Sequence, residues 1–238
     1  MNILATNDDG YLCQGIISLA EKLRAAGHRV TILAPDRERS CASHSMSLNG
    51  GIAVKKLGDD LYICSGTPVD CAFIGVSEGF GLNPDLVVSG INAGANLGID
   101  VIFSGTVGAA RQAALHKIPA IAFSLCGYRE PMCWEPAASW AAAHLDELAA
   151  LWNEAVFVSV NMPNIETLPE KAAITKLSGR RYRDGVILQP PGPDGYAPCE
   201  FTFGGLSDET CENSDRDTVI RGLVSVSVIY IEQSTALP

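Results

Sequence analysis

Short continuous apolar runs alternate along the chain with segments whose apolar residues recur at helical spacing. Runs at Ile3 to Ala5, Val30 to Ala34, Asp85 to Ser89 (DLVVS), Ala120 to Ser124 and Val156 to Val160 predict strands covered on both faces, as in a parallel sheet. Between the first two, Ile16, Leu19, Ala20 and Leu23 fall at i, i+3, i+4 and i+7, one face of a helix that Gly27 ends. Strand, helix and strand within about 34 residues make a βαβ unit. Gly51 to Cys64 reads as a hairpin turning at Gly58-Asp59-Asp60. Thr67-Pro68-Val69-Asp70 predicts a helix start with Asp70 as a structural cap, and Val69, Phe73 and Val76 as the buried stripe. An alanine-rich helix follows Ser104 or Thr106 as cap, with Val107, Ala110, Ala114 and Leu115 on one face. A further helix spans Pro136 to Trp152, its buried side formed by Trp140, Leu145, Leu148 and Leu151 or Trp152. The alternation implies an α/β fold: a mostly parallel sheet with helices on both faces.

From Ala172 the pattern changes to strand-like pieces broken by Gly and Pro, ending in a strand over Leu223 to Val228. The basic cluster Arg180, Arg181 and Arg183 reads as a solvated strand face, or as a reach toward an anionic substrate or a partner subunit. No linker rich in Ser, Gly or Pro sets this part off as an independent domain. The expectation is one domain over residues 1–238, with a core at 1–165 that includes the hairpin at 51–64, and a C-terminal extension at 166–238.

Composition narrows the functions. Against 27 Asp and Glu stand 17 Lys and Arg, a net charge of −10, which argues against a surface built for nucleic-acid polymers. A small anionic ligand stays compatible where a metal or local Arg screens it. There is no basic-then-apolar leader, and no stretch approaches the roughly 18 uninterrupted apolar residues of a spanning helix, so a soluble, cytoplasmic protein without membrane partners is expected. The eight cysteines lack any Cys-x-x-Cys spacing and are expected as reduced, mostly buried thiols.

The candidate chemistry begins where the first strand ends, in Thr6-Asn7-Asp8-Asp9-Gly10. Neighbouring side chains of a strand point to opposite faces, so Asp8 and Asp9 converge only if the chain turns there, as Gly10 permits. Two adjacent carboxylates repel unless a positive group stands between them, and a divalent cation is one candidate; a polar turn is the other reading. The pair sits at the carboxyl edge of the sheet, where open α/β folds bind ligands. The polar stretch 35–48 leaves the next strand beside it, bringing Ser40 as a hydroxyl ligand or phosphate contact and Arg37 and Arg39 as screening charges. Gly90 to Gly98 adds Asn92 and Asn96, whose amides can give an oxygen to a cation or an N–H to a phosphate, or satisfy their own loop. It is not the G-x-G-x-x-G of dinucleotide enzymes, which weakens an oxidoreductase reading, and no Walker loop occurs. Ser104, Gly105 and Thr106 open a helix whose free N–H groups suit an anion.

Taken together, TNDDG at 6–10, APDRERSCASHSMSL at 34–48, GTPVDC at 66–71, SGINAGANLG at 89–98, FSGTVGAA at 103–110, VNMP at 160–163 and the tail at 214–228 resemble the SurE (survival protein E) family. The resemblance runs in order over nearly the whole chain. It implies a Rossmann-like core, a cytoplasmic metal-dependent phosphatase of nucleoside 5′-monophosphates with 3′-monophosphates as further candidate substrates, and one divalent cation per subunit on Asp8, Asp9, Ser40 and Asn92. It further implies homodimers or homotetramers built through the C-terminal extension. Tyr11-Leu12-Cys13-Gln14 stands where that family often has a hydrophobic-x-Ala-Pro run, and Cys41 replaces a common Gly.

On that basis Mg²⁺ or Mn²⁺ is expected, since hard ions favour oxygen ligands and leave positions open. Either Asp9 or Asp8 would take a proton from the attacking water, while Asn96, Ser104, Gly105 and Thr106 hold the phosphate oxygens. Short polyphosphate is a further conceivable substrate. A phosphoenzyme on Asp8 or Ser40 is the rival route, although Asp-Asp is not the Asp-x-Asp of aspartyl-phosphate enzymes. A non-catalytic nucleotide-binding or metal-sensing module on the same fold is the alternative from another class.

Overall fold

The computed structural model describes residues 1–127, 131–179, 181–207 and 211–232. In chain order the strands are β1 (Asn2–Thr6), β2 (Arg29–Pro35), β3 (Val54–Gly58), β4 (Leu61–Cys64), β5 (Leu86–Ala93), β6 (Ala120–Cys126), β7 (Val156–Pro163), β8 (Ala172–Thr175), β9 (Arg181–Leu188), β10 (Cys199–Ser207) and β11 (Val224–Tyr230). The helices are α1 (Gln14–Ala25), α2 (Pro68–Val76), α3 (Asp100–Phe103), α4 (Gly105–Leu115), α5 (Trp134–Ala143), α6 (Leu145–Ala149) and α7 (Asp215–Ile220). Nine strands form one sheet in the order β3-β4-β2-β1-β5-β6-β7-β11-β8, and β9 and β10 form a separate antiparallel pair. Strands β4, β2, β1, β5, β6 and β7 run parallel. The predicted mostly parallel α/β architecture is the one observed.

Strand alternation divides the core into two layers. On β1, Ile3 and Ala5 pack with Ile16, Leu19 and Leu23 of α1, while Leu4 between them joins Leu33, Cys71 and Val107 on the opposite side. Each such aliphatic side chain contributes about 1.5–3 kcal/mol by leaving water. α1, α5 and α6 cover one face, and α2 and α4 cover the other.

Several details depart from the sequence pattern. Phe73 is 38% exposed, because α2 turns its smaller residues Ala72 and Gly75 inward with Val69, leaving the Phe73 ring 5.2 Å from that of His116. Leu115, at the end of α4, is likewise exposed. The segment expected as one helix over Pro136 to Trp152 is two, starting at Trp134 and interrupted at His144, whose ring stacks 4.0 Å from that of Trp140. The cysteines are free thiols, but only Cys64 and Cys71 are fully buried, and Cys41, Cys199 and Cys211 are exposed.

Part of the extension is built into the main sheet. β11 pairs antiparallel with β7, and β8 lies parallel beside β11 at the edge. Helix α7, unanticipated in sequence, is capped by the Ser214 hydroxyl, which accepts from the Asp217 N–H. Of the basic cluster, Arg180 lies outside the described residues. Among the described residues no helix is long and apolar enough to cross a membrane.

Candidate active site

β1 leaves the sheet at Asn7. The Asn7 side-chain amide donates to the Gly10 carbonyl at 2.9 Å, closing the turn. Gly10 sits at φ +92°, and a Cβ there would lie 3.0 Å from the Arg37 carbonyl carbon. An alanine would meet left-handed strain and a contact tight enough to push the Arg37 backbone outward. The turn therefore keeps β1 and the start of the 35–48 segment together, and the Arg39 N–H donates to the Asp8 carbonyl at 2.7 Å.

The two carboxylates have different surroundings. Asp8 is buried, at 4% exposure, and both its oxygens are engaged by Thr106: the hydroxyl donates to Oδ1 at 2.5 Å and the backbone N–H to Oδ2 at 3.1 Å. Asp9, only partly buried, accepts from the Ala93 N–H on Oδ2 at 3.1 Å. Burial raises the Asp8 carboxyl above its ordinary range against the lowering effect of the Thr106 bonds. Asp9 is pushed up to about 6, by burial first, then by the charge of Asp8 and, less, of Glu38. Beside it the Cys13 thiol is pushed up to about 11, by burial and then by Asp9. Among the described residues no Lys or Arg pairs with either aspartate. This is an acidic site without its counter-charge.

The 35–48 segment is fastened on three sides. The Ser43 N–H donates to the Phe103 carbonyl at 3.0 Å and its hydroxyl to the Ile102 carbonyl at 2.6 Å. Gly108 makes this approach possible, since a Cβ would lie 2.6 Å from the Ser43 carbonyl oxygen. Ser47 donates through its N–H and hydroxyl to Asp70, at 3.0 and 2.7 Å. Asp70 also completes the capping box with Thr67, as its place in the sequence predicted. Burial alone would raise the Asp70 carboxyl, but the bonds from Ser47 and Thr67 hold it below the usual range. Within this segment Ser40 is exposed, and its hydroxyl donates to Glu38 at 2.8 Å.

β5 extends further than predicted and carries Asn92 within the strand, at an irregularity of the β5–β6 register between Ser89 and Asn92. The Asn92 amide donates to the Gly94 carbonyl at 2.9 Å, and its oxygen lies 3.5 Å from the Thr106 hydroxyl that also contacts Asp8. Asn92, Asp8 and Thr106 are thus brought together. Asn96 is turned inward instead: its amide donates to the Ser124 hydroxyl at 2.8 Å, and its backbone exchanges bonds with the Asn161 side chain. Asp215 of α7 accepts from the Gly98 N–H at 2.7 Å, fixing the far end of the same loop. Ser104 is the cap of α4, its oxygen accepting from the Val107 N–H at 3.1 Å. Gly105 begins the helix against Pro68 and Asp8.

Sequence reasoning missed four supporting residues: Thr106 as the partner of Asp8, Glu38 as the partner of Ser40, and Asn161 and Asp215 as anchors of the 94–98 loop. VNMP and Ser214-Asp215 were visible as motifs, but nothing local connects them to a loop more than 60 residues away.

Among the described residues no three His, Cys, Asp or Glu side chains are grouped to hold a metal. What the edge offers is a pair of uncompensated carboxylates beside the Asn92 carboxamide, with the Thr106 hydroxyl linking Asp8 to Asn92 and Ser40 turned toward Glu38, a donor set of oxygens that suits a hard divalent cation and not a soft one. An open, mostly parallel α/β sheet with an acidic site at the carboxyl ends of its central strands defines the general class of a ligand-binding doubly wound protein.

Comparison with known proteins gives the family. The sequence profile described as Survival protein SurE matches residues 3–184. A relative from Geotalea daltonii called 5′-nucleotidase SurE is 37% identical over 237 residues, covering 98% of this chain and 94% of its own. A 5′-nucleotidase SurE from Gloeobacter violaceus is 40% identical, over 93% of this chain and 86% of its own. The crystal structure of the SurE protein from Aquifex aeolicus superposes with a TM-score of 0.83 at 32% identity, over 98% of this chain and 94% of that one. The chain belongs to the SurE family.

Proposed function

We propose that the chain is a metal-dependent phosphatase that hydrolyses nucleoside 5′-monophosphates, and 3′-monophosphates in addition, to nucleoside and phosphate. The observation that carries this reading is the Asp8–Asp9 pair, Asp8 held by Thr106 at the start of α4 and Asp9 by Ala93 at the end of β5, with no basic side chain among the described residues paired to either. The name 5′-nucleotidase borne by relatives over nearly the full length supports the same class of reaction.

In this reading Asp8, Asp9, Ser40 and Asn92 hold one Mg²⁺ or Mn²⁺ per subunit. A cation of that kind supplies charge neutralisation at the phosphate and a lowered pKa for the attacking water. Asp8, locked by two bonds from Thr106, is the fixed ligand. Asp9, which reaches the site with one oxygen held by the Ala93 N–H, accepts the proton of the water that attacks phosphorus. The bond from phosphorus to the nucleoside oxygen breaks on the opposite side, and that oxygen takes a proton from solvent. Ser104 uses its oxygen as an acceptor within the helix cap, so its proton can go to a phosphate oxygen. Gly105 and Thr106 bring the positive end of α4 to the same place. Asn96 acts from behind, by shaping the loop that ends at Gly98.

The subunit assembles as a homodimer or homotetramer through residues 166–238, where the β9–β10 pair leaves Val186, Leu188 and Phe201 exposed. The test is phosphate release from a panel of 5′- and 3′-nucleotides and short polyphosphate, with Mg²⁺, with Mn²⁺ and with chelator. Metal-dependent release from the monophosphates is expected. Nucleotide binding without release from any of them contradicts the proposal and favours a sensor.

A further inference from the structure

The short helix α3 pairs a buried half with an exposed one. Asp100 and Val101 are buried, whereas Ile102 and Phe103 are 50% and 47% exposed. Phe103 immediately precedes Ser104, the cap of α4, and lies two residues before Gly105, which packs against Asp8. Its backbone is fixed from two directions: its carbonyl accepts from the Ser43 N–H, and the Ser104 N–H donates to the Asp100 carbonyl at 3.0 Å. The ring is thus an exposed apolar surface on a rigid base.

A second aromatic side chain arrives from the β9–β10 pair. The Tyr182 hydroxyl donates to Asp100 Oδ1, which pins the phenol to the same short helix, and its ring stands 6.5 Å from that of Phe103 at 74°. Tyr182 is 41% exposed. Asp100 also accepts from the Leu97 N–H at 3.2 Å, so one carboxylate links the aromatic pair to the loop behind the site. An exposed pair of aromatic rings held this firmly, on the short helix that leads into the Ser104 cap, is arranged to receive a flat apolar group.

We propose that Phe103 and Tyr182 form the seat for the substrate's nucleobase, resting on the nucleotide phosphatase reading above. A base stacks on an aromatic side chain whatever its hydrogen-bonding edge, because every base has a π-face. The Tyr182 hydroxyl is already committed to Asp100, so the seat reads surface area and not donor pattern. It therefore accepts all bases and favours purines over pyrimidines through their larger face. It also gives β9 a part in recognition, since half of the seat comes from residues beyond the Rossmann-like core.

The test is the ratio of kcat/KM for adenosine 5′-monophosphate to kcat/KM for ribose 5-phosphate, which carries the same phosphate and sugar without a base, measured on the full metal-loaded chain. Phe103→Ala should lower this ratio on the order of 10-fold, chiefly through the KM of the nucleotide. Phe103→Tyr should restore it, and Phe103→Leu, which keeps apolar bulk without a π-face, should not. Tyr182→Leu should give a smaller loss in the same direction. An unchanged ratio in Phe103→Ala and Phe103→Leu overturns the seat, whether both substrates suffer or neither does. A changed sedimentation coefficient with an unchanged ratio assigns the pair to contact with a second copy and overturns it too. A wild-type protein that releases phosphate from neither substrate overturns the phosphatase reading itself.

Discussion

The carboxyl edge around β1 and the β9–β10 pair satisfy their chemistry in opposite ways. At the edge, buried or partly buried polar groups are matched to partners from distant parts of the chain: Asp8 to Thr106, Asp9 to Ala93, Asp70 to Ser47, Asp215 to Gly98. In the hairpin the backbone is paired strand to strand, yet Leu188 and Phe201 stand 68% and 72% exposed. The first region is complete within one subunit except for positive charge. The second is complete except for an apolar cover. Under the proposed function, what each lacks is what it would receive: a cation in one case, the surface of a second copy in the other.

Among changes that leave both carboxylates in place, the largest expected effect breaks the edge at the contact between Thr106 and Asp8. Thr106→Val keeps the shape but removes the hydroxyl from Asp8, and should weaken Mn²⁺ binding by about 10- to 100-fold in calorimetric titration, while Thr106→Ser retains it. Equal affinities in Val and Ser variants would remove Thr106 from its supporting role.

Asp9 should respond with the opposite sign in stability. Without metal, the folded chain binds the Asp9 proton more tightly than the unfolded chain, at about 6 against 3.8. Its contribution to stability is therefore present below the unfolded value and lost as pH rises through about 6. Asp9→Asn should raise the stability of chelator-treated protein by about 1–2 kcal/mol at pH 8, and by almost nothing at pH 4, while abolishing metal binding. Urea denaturation at the two pH values measures both. Loss of stability at pH 8 contradicts the assignment.

Asp70 should behave in the reverse manner. Its folded carboxyl is depressed, so its contribution is present above the unfolded value of 3.8 and fades as pH falls below it. Asp70→Ala should cost about 1 kcal/mol at pH 7, with the gap to wild type narrowing at pH 3. The smallest effect on folding is expected from the hairpin. Replacing Leu188 and Phe201 by Ser should change subunit stability by under about 0.5 kcal/mol, as for other surface positions, while shifting sedimentation toward the monomer. Unchanged assembly would place the subunit contact elsewhere.

How much of this was legible in sequence depends on the range of the interaction. The βαβ start, the strand runs and the Thr67–Asp70 capping box were readable because their signals are local: buried strands are uniformly apolar, and a cap needs only four residues. Phe73 and Leu115 were misplaced because helical spacing picks out large apolar residues, whereas close packing of α2 and α4 against the sheet selected small ones. Asp8, Asp9 and Asn92 could be recognised as candidates from residue type and strand-end position. That Thr106 binds Asp8 could not, because 98 residues separate them and only the β1–β5 pairing and the placement of α4 bring them together. Helix α7 escaped because its six residues offer too little periodicity, although Ser214 stood at its cap.

One measurement tests the central claim most directly. Chelator-treated protein is titrated with Mn²⁺, and metal binding and phosphate release from adenosine 5′-monophosphate are followed on the same sample. The account predicts that both saturate together at one ion per chain in the wild type, and that Asp8→Asn shows neither. Full turnover in the chelated wild type, or undiminished metal-dependent turnover in Asp8→Asn, would contradict it.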